Sequence, residues 1–544
     1  MTKLLTSIVF FLVINFTCDA QTWQWLSAAN GTTSSNGTSG CTDQNGNVFI
    51  TGFYLGSTTF GTNTLQAATA PGNNIYLVKY DPSGNVLWAK NSICGTGSTD
   101  DIWSVCADPV GNSIITGRIG SSQIGFGTHT LTNNSLQEFI VKYDSNGNVL
   151  WAKTSEGDAI GEGVSTDAAG NIYQTGSFNT TVAFDSFTLN ANGSNIFIVK
   201  YDPNGTVLWA KNSVCNDFFN NGVSSISTDA NGNSVITGVH SSSVLAFDTH
   251  SITTNHIQNI FTAKYDGNGN ALWAKTVNGN APDVSRSVST DNSGNTYITG
   301  NYSSSPFIFG TSTLTTTGND IFTAKYDLSG NELWAVSATG TNIVGYSISS
   351  YAGGLFIAGS MDSNGTPIVF GTSTLSPPLG FADPCFIAQL DPNGNVVFAN
   401  SLKSGGDDWI NVSTDQYCNA YLSGDFSTNT FSLGTYTVSQ SGQENAFVAK
   451  LTYTCSLTVL NQNTSSNSIS LYPNPNNGFF KLQVDKEINN GELIIMNTLG
   501  QIVFHQKVNK GSSDIEINNL SKGIYYYTLE ENKTKLSSGK LVIE

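Results

Sequence analysis

Carboxylates set beside aromatic rings are the residues of this chain best suited to chemistry. They fall in five groups: Asp100, Asp101 and Trp103; Glu156, Asp158 and Glu162; Asp217, Phe218 and Phe219; Asp283; and Asp407, Asp408 and Trp409. A ring face next to an acceptor suits a carbohydrate or a cationic peptide as ligand. The plainer reading of the same residues is a solvated acidic rim that keeps a weakly charged protein in solution. Catalytic signatures do not emerge. The five histidines, 129, 240, 250, 256 and 505, build no HExxH pattern, and no Gly-x-Ser-x-Gly elbow or phosphate loop is present. Asp43, Asn45 and Asn47 alternate as calcium ligands can, as do Asp144, Asn146 and Asn148. Neither set has the loop glycine at its required place or a following bidentate Glu. No catalytic residue, metal ligand or cofactor is therefore expected.

The elements that carry these groups repeat. Tyr80-Asp81-Pro82-Ser83-Gly84-Asn85-Val86-Leu87-Trp88-Ala89-Lys90 returns at 143–153, 201–211, 265–275 and 326–335, and in worn form at 390–400. The tryptophans stand at 88, 151, 209, 273 and 334, an even long period that signals an array of one supersecondary unit. Each unit reads as four short strands separated by Asp/Asn/Gly turns. The fifth unit, for instance, has 287–291, 295–300, 320–327 and 331–335, with a small Phe-Gly-Thr element at 309–314. The ending of the second strand falls at Gly52, Gly117, Gly176, Gly238, Gly300, Gly359 and Gly424, which counts seven units. The seventh lacks its fourth strand, and Trp23-Gln24-Trp25-Leu26-Ser27-Ala28 at the other end resembles the missing piece. The expectation is an all-β, seven-bladed β-propeller closed by an N-terminal strand, which leaves no open sheet edge. Trp88 and its equivalents are expected to fill the space between neighbouring units. Lys79, Lys142, Lys200, Lys264 and Lys325 each lie two residues from an Asp on the same strand face, so local pairing is expected. The candidate acidic and aromatic groups sit mostly in the variable loops between one fourth strand and the next first strand, where recognition on a rigid scaffold usually resides.

The chain has 544 residues, 11% of them charged, and a formal net charge of −17. All of the excess lies in residues 21–455, which hold 13 Lys and Arg against 30 Asp and Glu. That field opposes nucleic acid and anionic lipid as partners. Lys3 followed by the apolar run 4–16 and by Cys18-Asp19-Ala20 reads as a signal peptide over 1–20, and no other stretch could span a membrane as a helix. Export permits disulfides among Cys41, Cys94, Cys106, Cys215, Cys385, Cys418 and Cys455. Cys41 and Cys106 share one repeat position and Cys94 and Cys215 another; cross-unit pairing and small buried thiols both remain open.

With these motifs in view, residues 21–455 resemble the SBBP-type β-propeller repeats of bacterial surface and secreted proteins, a family that implies a fold and no shared activity. Residues 456–468 read as a linker. Residues 469–544 then carry Pro473-Asn474-Pro475 with Gly478, Gly523-Ile524-Tyr525, and Lys540-Leu541-Val542. Read from its alternating apolar residues this is a small Ig-like β-sandwich. It resembles the type A C-terminal sorting domain of the type IX secretion system of Bacteroidota. The resemblance implies export to the cell surface or medium of a Gram-negative bacterium, with the secretion machinery as partner. Asp-x-x-Gly-x-x-x-Trp is also similar to the Asp-box of sialidase-like propellers, but its spacing is one residue too long. With only Arg118 and Arg286 in the chain, an arginine triad cannot be built. The leading expectation is a non-catalytic adhesion or binding module for a glycan or peptide. The alternatives are a hydrolase of extracellular polysaccharide, working through paired carboxylates, and a structural surface-layer component.

Overall fold

The computed structural model describes residues 21–67, 73–96, 100–133, 135–191, 193–215, 221–254, 258–316, 318–362, 366–378, 384–403, 410–452, 469–472, 476, 478–484, 491–497, 502–517, 520–531 and 534–543. The expected signal peptide at 1–20 and the linker at 456–468 lie outside them. Every regular element described is a β-strand, and every named strand pair is antiparallel. The chain divides into two compact units, Met1–Cys455 and Ser456–Glu544.

In the first unit the repeat folds as the sequence pattern dictates. The fifth repeat has strands Asp283–Thr290, Thr296–Tyr302, Asp320–Tyr326 and Glu332–Thr339, hydrogen-bonded in that order. Its second and third strands are buried along their whole length, whereas the fourth alternates with Leu333 half exposed. Buried central strands need apolar residues on both faces, and an outer strand needs them on one. Among the described residues this four-stranded arrangement occurs seven times, and in the last the N-terminal strand Thr22–Ala28 supplies the fourth member. It pairs with Asn445–Thr452 in the register Trp25↔Lys450 and Ala28↔Phe447. The Asp-x-x-Gly-Asn segments close the hairpins. Asp81 Oδ1 accepts from the amides of Ser83 and Asn85 at 2.9 Å each, its Oδ2 accepts from the Asn85 side chain, and Gly84 takes φ of 86°.

Neighbouring sheets are joined by one recurring clamp. Trp88 Nε1 and Lys79 Nζ both donate to the carbonyl of Ser145, in the turn of the next repeat. Trp209 and Lys200 do the same to Gly267, and Trp334 and Lys325 to Pro392. The indole lies flat on the turn glycine, so a Cβ on Gly147 would sit 2.9 Å from the Trp88 ring. Trp25 and Lys450, in the last sheet, donate to Pro82 of the first repeat at 3.0 and 3.3 Å. One apolar cluster accordingly holds Tyr421, Ala446 and Val448 together with Val48, Ile50 and Val78. A second seam runs between first strands: the hydroxyls of Ser165 and Thr228, Ser227 and Thr290, Ser289 and Ser350, and Ser349 and Thr414 meet at 2.5–2.9 Å.

One expectation is corrected here, and one open alternative is decided. Lys79, Lys142 and Lys200 do not pair with the Asp two residues on; each faces the turn Asp that follows the first strand of its own repeat. Lys79 instead lies 3.8 Å from Asp43 and Lys142 2.9 Å from Asp108, across the sheet. In the sixth repeat both partners change together, and Gln389 donates to the Tyr351 hydroxyl. The paired repeat positions of the cysteines also form no cross-unit disulfides. Cys41, Cys94, Cys106 and Cys215 are thiols, as is Cys385, and burial raises the Cys106 thiol well above its ordinary value. Cys418 is disulfide-bonded.

The second unit has a three-stranded sheet and a four-stranded sheet that share one core, including Leu482, Leu493, Leu529 and Leu541.

Candidate functional site

The first strand of a repeat does not pair evenly with the second. An extra residue is inserted opposite the recurring Thr-Gly, and a β-bulge of this kind re-aims one side chain. The inserted residues are Thr38, Trp103, Glu162, Ser224, Arg286 and Tyr346 in the first six repeats. The glycine opposite is obligatory, because the bulge drives a carbonyl into the space a Cβ would fill. An added Cβ would lie 1.8 Å from the Asn36 carbonyl oxygen at Gly52, and 2.0 Å from that of Val284 at Gly300. All six bulge residues line one cavity of about 290 Å³, joined by Ile410 and Asn411 of the seventh repeat. Within a strand framework that otherwise repeats closely, this position carries six different residue types.

The cavity is chemically mixed. Arg286 lies over the Tyr346 ring at 5.1 Å, and its Nε donates to Asn301 Oδ1 at 3.4 Å. Among the described residues no carboxylate pairs with it. Arg118, the only other arginine, lies over the Trp103 ring at 5.5 Å and is ion-paired with Asp101. Both arginines of the chain thus stack on aromatic walls of this one cavity. Glu162 is partly buried, and its Oε2, shut off from solvent, finds no hydrogen-bond partner among the described residues. Burial pushes its carboxyl up to about 8, against the opposing hydrogen bond from Ser177. At neutral pH it is chiefly the uncharged acid, which can donate as well as accept.

The residues expected at an acidic rim are divided by the fold. Trp103 and Glu162 line the cavity, and Asp101 reaches its wall through Arg118. Asp100 and Asp283 are instead buried loop clasps rather than solvent-facing acids. Asp100 accepts from the amides of Gly120 and Ser121 and from the Ser121 hydroxyl, and Asp283 accepts in the same way from Ser303 and Ser304. Glu156 and Asp158 are exposed and away from the cavity, with Glu156 bridged to Ala183 through the backbone. Asp217, Phe218, Phe219, Asp407, Asp408 and Trp409 lie outside the described residues. Thr38, Ser224, Arg286 and Tyr346 went unrecognised in the sequence, although a signal was there. Trp103 and Gly117, Glu162 and Gly176, and Arg286 and Gly300 all stand fourteen residues apart.

In the second unit Gly478 takes φ of 97° and its amide donates to Asn476 Oδ1. The Tyr525 hydroxyl donates to the Ser521 carbonyl, Leu541 is fully buried, and the Val542 carbonyl accepts from the Asn476 amide. Gly523 opens the strand Gly523–Glu531, where Lys540 of the last strand pairs with Tyr526. Pro473, Asn474 and Pro475 lie outside the described residues.

Comparison with known proteins bears chiefly on this second unit. Residues 470–544 match the secretion system C-terminal sorting domain family. An uncharacterized WD repeat-containing protein of Acanthamoeba polyphaga mimivirus is 26% identical over 491 residues; the match takes in 71% of this chain and 35% of that relative's length. Among solved structures, a copper-bound fungal alcohol oxidase aligns with 96% of this chain and 99% of its own, at 11% identity and a TM-score of 0.37. PorZ, a surface component of the type IX secretion system of Porphyromonas gingivalis, aligns over 93% and 81%, at 10% identity and a TM-score of 0.20. Likeness at these scores carries no argument about shape or activity. The sorting domain does: this is a secreted or cell-surface protein of a Gram-negative bacterium, and its C-terminal domain associates with the type IX secretion machinery. Among the described residues no helix is long and apolar enough to cross a membrane.

Proposed function

We propose that residues 21–455 form a seven-bladed β-propeller closed by its N-terminal strand, and that it serves as a non-catalytic binding or adhesion module for extracellular saccharide. The clamp that joins the last sheet to the first, by the same contacts that Trp88, Trp151, Trp209 and Trp334 make together with their lysines, supports the closed ring. The Ig-like sandwich reading of residues 469–544 rests on their two sheets around one core. One observation carries the functional reading: the bulge position varies from repeat to repeat, and its residues converge on one cavity with two aromatic walls. Rings beside hydrogen-bonding groups match the apolar faces and hydroxyl edges of a sugar.

A polysaccharide hydrolase is the second reading, favoured by Glu162, whose raised pKa suits a general acid. Against it, Glu162 is the one carboxylate among the described residues that line the cavity. The experiment is a glycan array probed with the full chain and with Trp103→Ala and Tyr346→Ala. Binding that both variants lose, with no reducing ends released, supports the module. Reducing-end release that Glu162→Gln abolishes supports the hydrolase. Saccharide binding that both variants retain overturns the placement of the site, and no binding to any saccharide leaves the surface-layer reading in its place.

A further inference from the structure

We infer that the cavity between the first strands recognises one carboxylate-bearing sugar residue, with Arg286 as the carboxylate receptor. The inference rests on the saccharide-binding reading above and narrows it to an acidic ligand. Arginine in a folded protein ordinarily spends its guanidinium on a carboxylate, as Arg118 does on Asp101. Arg286 does not. Its described contacts are the face of Tyr346 and one long hydrogen bond to Asn301, both neutral, and the residue lines the cavity. A guanidinium held over a ring and tied at Nε keeps its fork placed for bidentate capture of a carboxylate.

The other charge in the cavity wall favours the same ligand. Glu162 would repel an anion if ionised, but burial keeps it largely as the neutral acid near pH 7. In that state it adds no negative charge to the cavity wall. The local balance is positive even though residues 21–455 carry a net charge of −17. Screening over about 8 Å at physiological salt lets the local charge decide for a ligand seated inside. The same overall field disfavours a long polyanion, whose further charges would lie outside the cavity. A volume of about 290 Å³ is at the small end for a ligand site and fits one or two sugar rings. The ligand is therefore a saccharide ending in a single uronic or sialic-type acid.

The test uses the full chain and disaccharides terminated by glucuronate, galacturonate or sialate, each beside its counterpart with the carboxyl reduced to the alcohol. Titration calorimetry near pH 6.5 should show at least one acid bound tenfold or more tighter than its alcohol. Arg286→Gln should remove that ratio, and Arg286→Lys, a point charge without the fork, should keep only part of it. Equal binding of every acid and alcohol overturns the inference, as does an undiminished ratio in Arg286→Gln. If Arg286→Gln fails to fold, the wild-type ratio and Arg286→Lys still decide. Neutral saccharides that bind in a Trp103-dependent way while no acid is preferred would overturn this inference alone. Loss of all Trp103-dependent saccharide binding would overturn the saccharide reading itself.

Discussion

Glu162 and Glu138 are acids that burial holds up to about 8 and about 7, Glu138 against hydrogen bonds from Gln174 and Ser155. Between an ordinary carboxyl value and these raised values, the folded chain binds protons that the unfolded chain has released. Their contribution to stability is therefore complete at low pH and is lost as pH rises toward 8. Asp327 has the opposite sign: the Asn331 side chain and neighbouring amides hold it low, so its contribution disappears on acidification. A melting temperature that declines from about pH 5 to pH 8, and a flatter profile in Glu162→Gln with Glu138→Gln, are the expected results of thermal scans. The bulge makes a second residue-scale prediction. At Gly300 a methyl would lie 2.0 Å from the Val284 carbonyl. Gly300→Ala should thus cost at least ~2 kcal/mol in urea unfolding. It should also displace Arg286 and weaken ligand binding in whatever protein still folds.

Strands and turns are where the repeat was most legible. Strand positions follow from β-branched and aromatic runs bounded by Asp-x-x-Gly-Asn, and these are local properties of the chain. The clamp was half legible: the tryptophans could be placed between units, but the carbonyl to which each indole donates belongs to the next repeat. Trp209 packs on Gly269 and donates to Gly267. Trp209→Ala should lower stability by about 3–5 kcal/mol, as measured by chemical denaturation. The N-terminal strand tests the joint at larger scale. Removing residues 21–28 strips Asn445–Thr452 of its partner and exposes an edge strand that includes Phe447, Val448 and Leu451. The truncated protein should aggregate, seen in size-exclusion chromatography as early-eluting material that the intact chain should not give.

At the scale of the whole molecule the two compact units carry separate tasks. Removing residues 470–544 should stop the chain from appearing outside the outer membrane and leave it within the cell envelope, read by fractionation and blotting. Ligand binding by residues 21–455 should survive that removal. The repeat count, the all-β class and the sorting domain were all determined by the sequence alone, because periodicity, turn chemistry and short contiguous motifs are written along the chain. The candidate site was not. Trp103 and Glu162 stood out as an aromatic and an acid, but so did Asp100 and Asp283, which the fold turns inward to clasp loops. Thr38, Ser224 and Arg286 look ordinary in their own repeats. Only the tertiary structure decides that they share a cavity, because a bulge aims each one and residues more than two hundred positions apart are brought together by how the sheets are arranged in space.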